Sequence, residues 1–307
     1  MSESVTGIVN LIKPSGMSSF FAVSVLRRVL DCKKAGHTGT LDPLAAGLLT
    51  ICFGRATKVI PYLPEEKKEY LAEIKLGEST ATLDREGEVT GKDESWKTLS
   101  RKKIAAVLDD FRGVSAQIPP MYSAVQQDGE RLYRKARRGE QVEREPRSVE
   151  IFSLKPVEIR KPYLRLLISC SRGTYIRSLA RDIGQKLGCG AHLSFLVRNS
   201  SGPFQLEKAF SFEEIEKMVK SGDRNFLLSP DQPLAYPQLT VRSKAHKKAV
   251  NGASLHSSDF EDFDDQLTTG YRVLVYTGEQ EFVSISEIMH SEEGEIICKP
   301  LRVFYEL

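Results

Sequence analysis

From Lys68 to Gly77 the chain alternates, with Tyr70, Ala72, Ile74 and Leu76 on one face and Leu71, Glu73 and Lys75 on the other. That period of two predicts a half-buried strand. Val5 to Ile12 is a short apolar run that reads as a buried strand, ending at Lys13-Pro14-Ser15-Gly16. Ser18 or Ser19 then caps a helix that carries Phe21, Val25 and Val29 at helical spacing. Leu48 to Phe53 is another short apolar segment, and Ser100 to Phe111 reads as an amphipathic helix. Val149 to Ile159 and Tyr163 to Cys170 are β-rich, and a helix from about Thr174 to Leu187 turns Ile176, Leu179, Ala180, Ile183 and Leu187 inward. Ser211-Phe212-Glu213-Glu214 has capping-box spacing and opens a helix that stops near Gly222.

The pattern changes at Pro230, Pro233 and Pro237, which predict a domain boundary between residues 1–229 and 230–307. Beyond it come a basic helix, Ser243 to Asn251, and short strands around Arg272–Tyr276, Glu281–Glu287 and Glu295–Phe304, a spacing that suggests a small barrel. A length of 307 residues with 40% hydrophobic content suits two such domains, one larger than the other. The five cysteines are scattered without a Cys-x-x-Cys pair, and read as free thiols in a reducing compartment. No leader is apparent, and no run approaches the ~20 apolar residues of a membrane span. The expectation is a soluble cytoplasmic protein with no membrane partner. Net charge is only +3, so a polyanion partner must be argued from local clustering. Arg131, Arg134, Lys135, Arg137 and Arg138 supply that cluster, five cations within eight residues. By default it is a solvated helix face; its density suits phosphate contact.

Candidate chemistry centres on Asp42, the one carboxylate in Gly36-His37-Thr38-Gly39-Thr40-Leu41-Asp42-Pro43-Leu44-Ala45-Ala46-Gly47. Pro43 biases Asp42 toward extended or turn backbone, and the glycines let another molecule approach closely. The bland alternative is an Asx-turn or helix cap. Two arginines stand as possible partners, Arg55 nearby in sequence and Arg177 one turn into its helix. A guanidinium there would orient the carboxylate through paired hydrogen bonds. Tyr70 faces inward, either as core or as a platform for a flipped base. His37 sits beside glycine, where a surface or capping role competes with ligand contact. There is no His-x-x-x-His, no Cys pair at ligand spacing and no phosphate-cradling glycine loop, so metal and cofactor chemistry find no support. From the residues alone, a metal-free carboxylate enzyme and an RNA-binding protein remain equally open.

Five segments in order resemble the tRNA pseudouridine-55 synthase family of the TruB type, in its bacterial stand-alone form. They are Asn10 to Ser19; Gly36 to Gly47 with Gly54-Arg55-Ala56-Thr57-Lys58; Lys68-Glu69-Tyr70 with Leu76-Gly77 and Thr82 to Gly87; Pro119 to Ala124 with its basic sequel; and Cys170 to Arg177. Together they span nearly the whole chain. The resemblance implies an α+β pseudouridine synthase fold with a mixed, largely antiparallel central sheet flanked by helices and loops, plus a small C-terminal PUA-like β-barrel. It assigns Asp42 as the catalytic aspartate, Tyr70 as the stacking tyrosine and Arg177 as the partner of the aspartate. Tyr175, Lys13 and Leu196 become active-site support, and His37 belongs to the base-flipping loop. The segment 119–148 resembles a thumb over the RNA, and Lys247 and Lys248 join Arg131, Arg134, Lys135, Arg137 and Arg138 as RNA contacts.

The implied activity is isomerisation of a T-loop uridine of tRNA to pseudouridine by a monomer with no cofactor, no metal and no obligate protein partner. The carboxylate could attack the sugar, attack the base or remove a sugar proton. The alternatives are a non-catalytic RNA-binding or tRNA-folding protein and a guide-RNA-dependent relative. Two features depart from the family: Ile12, where an acid usually precedes the lysine, and the acidic run Asp259 to Asp265.

Overall fold

The computed structural model describes residues 5–305 except 65, 66, 124, 128, 141, 265 and 291–294. A ten-stranded sheet forms its centre. From edge to edge run Leu227–Leu228, Gly7–Lys13, Ala46–Phe53, Ala191–Ser201, Lys68–Leu76, Tyr163–Cys170, Arg147–Arg160 and Gly113–Gln117. Ala35–His37 pairs with Ala46–Phe53, and Phe204–Gln205 with Ala191–Ser201. The pairing of Ala191–Ser201 with Ala46–Phe53 is parallel, Val197 opposite Ala46 and Arg198 opposite Gly47, in an otherwise antiparallel sheet. The sheet is therefore mixed and largely antiparallel, as expected.

Tyr70, Ala72, Ile74 and Leu76 are all buried, matching the alternation read from the chain. They share one core with Leu164, Leu166 and Ile168 and with the inner face of the helix Ile176–Leu187. The helix Arg101–Asp109, capped by Ser100, adds Ile104, Val107 and Leu108. Along Gly7–Lys13, Ile8 points the other way, and with Leu48 and Cys52 it meets Ala56, Val59, Tyr62, Leu274, Ile285 and Phe304. Each fully buried aliphatic side chain there contributes roughly 1.5–3 kcal/mol, so this second core binds the C-terminal strands firmly to the large sheet. Arg55 and Lys58 reinforce the junction by donating to the carbonyls of Phe304 and Tyr305 and of Val303.

The C-terminal sheet has five strands in the order Gln238–Thr240, Arg272–Tyr276, Phe282–His290, Ile296–Val303 and Leu255–His256. A bridge between Val241 and Phe260 ties its two edges together around a core of Leu239, Val273, Val275, Val283 and Ile288. The basic helix is short, His246–Val250 after a 3-10 turn Ser243–Ala245. The acidic run is partly structural. Phe260 fills the core with Phe263 packed against it. Asp259 accepts from the His256 N–H and pairs with Lys248 at 3.1 Å.

Two expectations need correction. In the helix Ser19–Val29, capped by Ser18, the buried stripe is Ser19, Ala22, Val23 and Leu26, while Phe21 is 51% exposed. The cause is local: the Ser19 hydroxyl donates to Leu41 O and accepts from Leu41 N–H, both at 2.8 Å, and that contact sets the rotation of the helix. The strand Ala191–Ser201 was also missed, although it lies at the middle of the sheet.

Candidate active site

The Asp42 segment leaves the sheet at His37 and re-enters at Ala46, and short bonds hold it on both sides. Gly16 N–H donates to Pro43 O at 2.7 Å, the Ser15 hydroxyl to Leu44 O at 2.7 Å, and Ala45 N–H back to Asp42 O at 3.0 Å. Lys13, with no exposed surface, reaches under the turn to Pro14 O at 2.9 Å and Met17 O at 2.6 Å, with Pro43 O at 3.5 Å. Burial lowers its pKa to about 8 despite the nearby Asp42 charge, which works in the opposite direction.

Arg177 meets Asp42. Its Nη2 donates to Oδ1 at 3.1 Å, and Nε lies 2.8 Å from Oδ2 without hydrogen-bond alignment, so the pair is one bond plus a close charge contact. The Arg177 side chain is 5% exposed and that of Asp42 35%, so the arginine is sealed in while the carboxylate stays partly accessible. Three further contacts hold the guanidinium: Nη2 to Tyr122 O at 2.8 Å, Nη1 to Thr82 O at 3.2 Å, and Nη1 near Asp84 Oδ2 at 3.7 Å. A cation in the first turn of a helix opposes the helix dipole. Here two carboxylates compensate it. The turn itself is placed by Gln117, whose side-chain amide donates to Tyr175 O and accepts from Tyr175 N–H. Arg55, the other candidate partner, holds the C-terminal segment instead.

Tyr70 is 7% exposed and opposes Arg198 across the sheet. Burial first, and the Asp42 charge with it, push its hydroxyl up to about 12 although Arg198 pulls the other way, so the phenol stays protonated. Tyr175 is half-buried and also senses Asp42, its pKa raised mainly by burial. Leu196 is buried on the strand Ala191–Ser201, opposite Ala72 and two residues before Arg198. His37 is half-buried on its short strand; burial and then Arg198 lower its pKa, and its Nδ1 has no partner.

The basic residues disperse. Arg138 is committed to Glu130 and Glu140 at 2.6 Å each, and Lys248 to Asp259. Arg134 and Lys247 are exposed, and Lys135 is half-buried. The side chains of Arg131 and Arg137 lie outside the described ones. The segment that bears them holds a hairpin, Gln126–Gln127 with Glu130–Arg131, and a helix, Leu132–Arg137. Its base touches the site through Tyr122 O.

Sequence reasoning missed two groups. Asp84 stood within a quoted segment without a role; it is buried and accepts from the Thr82 hydroxyl and Glu86 N–H. Arg198 was overlooked with its strand; an arginine ending an apolar run was the available signal. A surface depression of about 360 Å³ is lined by Leu71, Ala72, Glu73, Arg85, Arg165 and Phe195, none of them part of the Asp42 cluster. Among the described residues no group of His, Cys, Asp or Glu is arranged to hold a metal ion, and no helix is long and apolar enough to cross a membrane.

Comparison with known proteins places this geometry. The model of the TruB family pseudouridylate synthase N-terminal domain matches residues 27–176, and that of the tRNA pseudouridylate synthase B C-terminal domain matches 177–234. The tRNA pseudouridine synthase B of Alkaliphilus oremlandii is 41% identical over 303 residues, covering 98% of this chain and 99% of its own. That of Pseudomonas fluorescens is 43% identical over 304 residues, covering 97% and 96%. Among solved structures, the Cbf5-Nop10-Gar1 complex aligns with a TM-score of 0.71 and 26% identity over 97% of this chain and 85% of the other. An H/ACA RNP bound to a substrate RNA containing 2'-deoxyuridine shares the fold, with a TM-score of 0.71 at 24% identity over 98% and 85%. A clamped loop with one accessible carboxylate, a buried arginine against it and relatives matched from end to end lead to one assignment: the chain belongs to the TruB family of pseudouridine synthases.

Proposed function

We propose that this chain isomerises a uridine of tRNA to pseudouridine, at position 55 in the T-loop, using its own side chains. The observation that carries the reading is Asp42, held on a clamped turn by Arg177 and partly open to solvent. In the reaction the C1′–N1 bond breaks, the uracil rotates, C5 bonds to C1′, and the proton on C5 is then lost to solvent while N1 takes one up. Breaking C1′–N1 develops positive charge on the sugar, which an adjacent carboxylate stabilises as in glycoside cleavage. Uracil departs as a delocalised anion, so the loop needs no second acid.

The base must first leave the folded loop, at a cost of roughly a few kcal/mol. Stacking on an aromatic ring such as that of Tyr70 returns roughly 1–3 kcal/mol. Tyr175, Leu196 and Lys13 complete the support in this reading, and His37 occupies the flipping loop. Residues 1–229 serve as the catalytic unit with 119–148 arching over the RNA. Residues 230–307 serve as a PUA-like module that grips the arm by shape and charge, with Lys247 an exposed cation there and Arg134 one on the 119–148 segment. We place the protein in the cytoplasm as a monomer that acts without guide RNA.

The test is tritium release from 5-labelled uridine in a bare T-arm stem-loop by the purified chain. Asp42→Asn should abolish release while RNA binding is kept. Substantial release by that variant removes Asp42 from the chemistry, and no release by the unsubstituted chain returns the protein to the class of RNA binders.

A further inference from the structure

Arg198 heads the fully buried side chains by volume, at 1% exposure, and the reading above gives it no task. A guanidinium taken from water costs several kcal/mol unless its hydrogen bonds are replaced, and an apolar residue would serve cohesion better. Its bonds are replaced in a telling place. Nε donates to Leu48 O at 2.8 Å and Nη2 to Gly39 O at 3.0 Å, with Thr40 O at 3.5 Å from Nη1. Those carbonyls flank Asp42 on both sides, so one rigid fork spans the two ends of its loop. In the sheet Arg198 lies directly opposite Tyr70 on the neighbouring strand, so its charge stands beside the Tyr70 ring. The main chain makes the same junction: Gly47, at φ +99°, packs so closely that a Cβ would lie 2.5 Å from Arg198 O and 2.8 Å from Arg198 N.

We propose that Arg198 is a positioning residue for the isomerisation, tying both ends of the Asp42 loop to Tyr70 so that carboxylate and stacking ring keep one separation. This rests on Asp42 as the reacting group. Lysine at 198 keeps the charge but, with all its donors on one atom, cannot hold Leu48 O and Gly39 O at the fork's spacing.

The experiment uses the full chain with Arg198→Lys, Arg198→Met and Tyr70→Phe, and with Arg198→Lys combined with Tyr70→Phe. It reads the single-turnover rate by tritium release, the dissociation constant for a T-arm stem-loop by filter binding, and folding by circular dichroism. Displacing a reacting group by about 1 Å costs on the order of 10²-fold in rate, and that is the loss expected for Arg198→Lys with RNA affinity unchanged. In the Tyr70→Phe background the loss should be clearly smaller, because the polar group of its cross-strand neighbour is already gone. Should Arg198→Met fail to fold, Arg198→Lys alone decides. A folded Arg198→Lys at the unsubstituted rate, a loss confined to RNA affinity, or the same fold-loss in both backgrounds overturns the proposal. Asp42→Asn measured alongside separates the two readings. If it turns over, the catalytic assignment fails; if it is dead while Arg198→Lys is unimpaired, only the positioning role fails.

Discussion

Replacing Arg177 with lysine removes geometry while keeping charge. The arginine contacts four groups from a nearly sealed position: Asp42, Asp84, Tyr122 O and Thr82 O. A single ammonium set among them can hold one carboxylate and one carbonyl, leaving about two acceptors without a donor. At roughly 1–3 kcal/mol for each buried group left unpaired, the fold should lose about 3 kcal/mol. Arg177→Met is the harsher change, since uncovering a buried charge costs about 3–5 kcal/mol by itself. Asp42 would also lose the contacts that set the tilt of its carboxylate, and misplacement of that size costs on the order of 10²-fold in rate. Urea unfolding followed by circular dichroism reads the first quantity, and single-turnover tritium release at saturating RNA reads the second. If Arg177→Lys unfolds at the unsubstituted urea midpoint and turns over within about threefold of the unsubstituted rate, a point charge suffices and the argument from multiple contacts is wrong.

Tyr70→Phe should retain far more activity than Tyr70→Leu, because the ring supplies the stacking; equal losses would point to the hydroxyl. Gly47→Ala should destabilise the fold by about 2 kcal/mol or more from the positive φ alone, before the overlap with Arg198 is relieved, and a urea midpoint equal to that of the unsubstituted chain would contradict the φ of +99°. For Lys13, the folded pKa of about 8 lies below the ordinary 10.5, so between those values the unfolded chain binds more protons and stability from this group rises with pH. The stability difference between the unsubstituted chain and Lys13→Met should therefore shift in favour of the unsubstituted chain from pH 7.5 to 9.5; a flat difference by urea unfolding would show that the amine is not held below its usual range.

What could be read from the chain depended on whether burial and apolarity coincide. In Lys68–Leu76 they do, and the alternation picked out every buried position from Tyr70 to Leu76. In Ala191–Ser201 they part company. His192, Ser194 and Arg198 are buried because His192 meets Glu78 O, Ser194 donates to Glu73 O, and Arg198 reaches Leu48 O. Polar residues in core positions erase the period of two, so the strand and its arginine were invisible together. The helix Ser19–Val29 fails the other way, leaving its most apolar residues, Phe20 and Phe21, in solvent. Asp42 and Arg177 were legible as a pair because each is a charge in an apolar or glycine-rich setting. Arg55 seemed equally eligible by nearness in the chain, but its partners lie some 250 residues away at the C-terminus, and no local pattern encodes that contact.

The seam where Ile8, Leu48 and Cys52 lie against Leu274, Ile285 and Phe304 bears on how the protein can be dissected. A truncation ending near residue 229 would strip that seam and leave a greasy patch open to water, inviting clumping rather than a clean core enzyme. The contribution of the last quarter of the molecule to tRNA affinity is better measured by neutralising exposed cations such as Lys247 one at a time in the intact polypeptide.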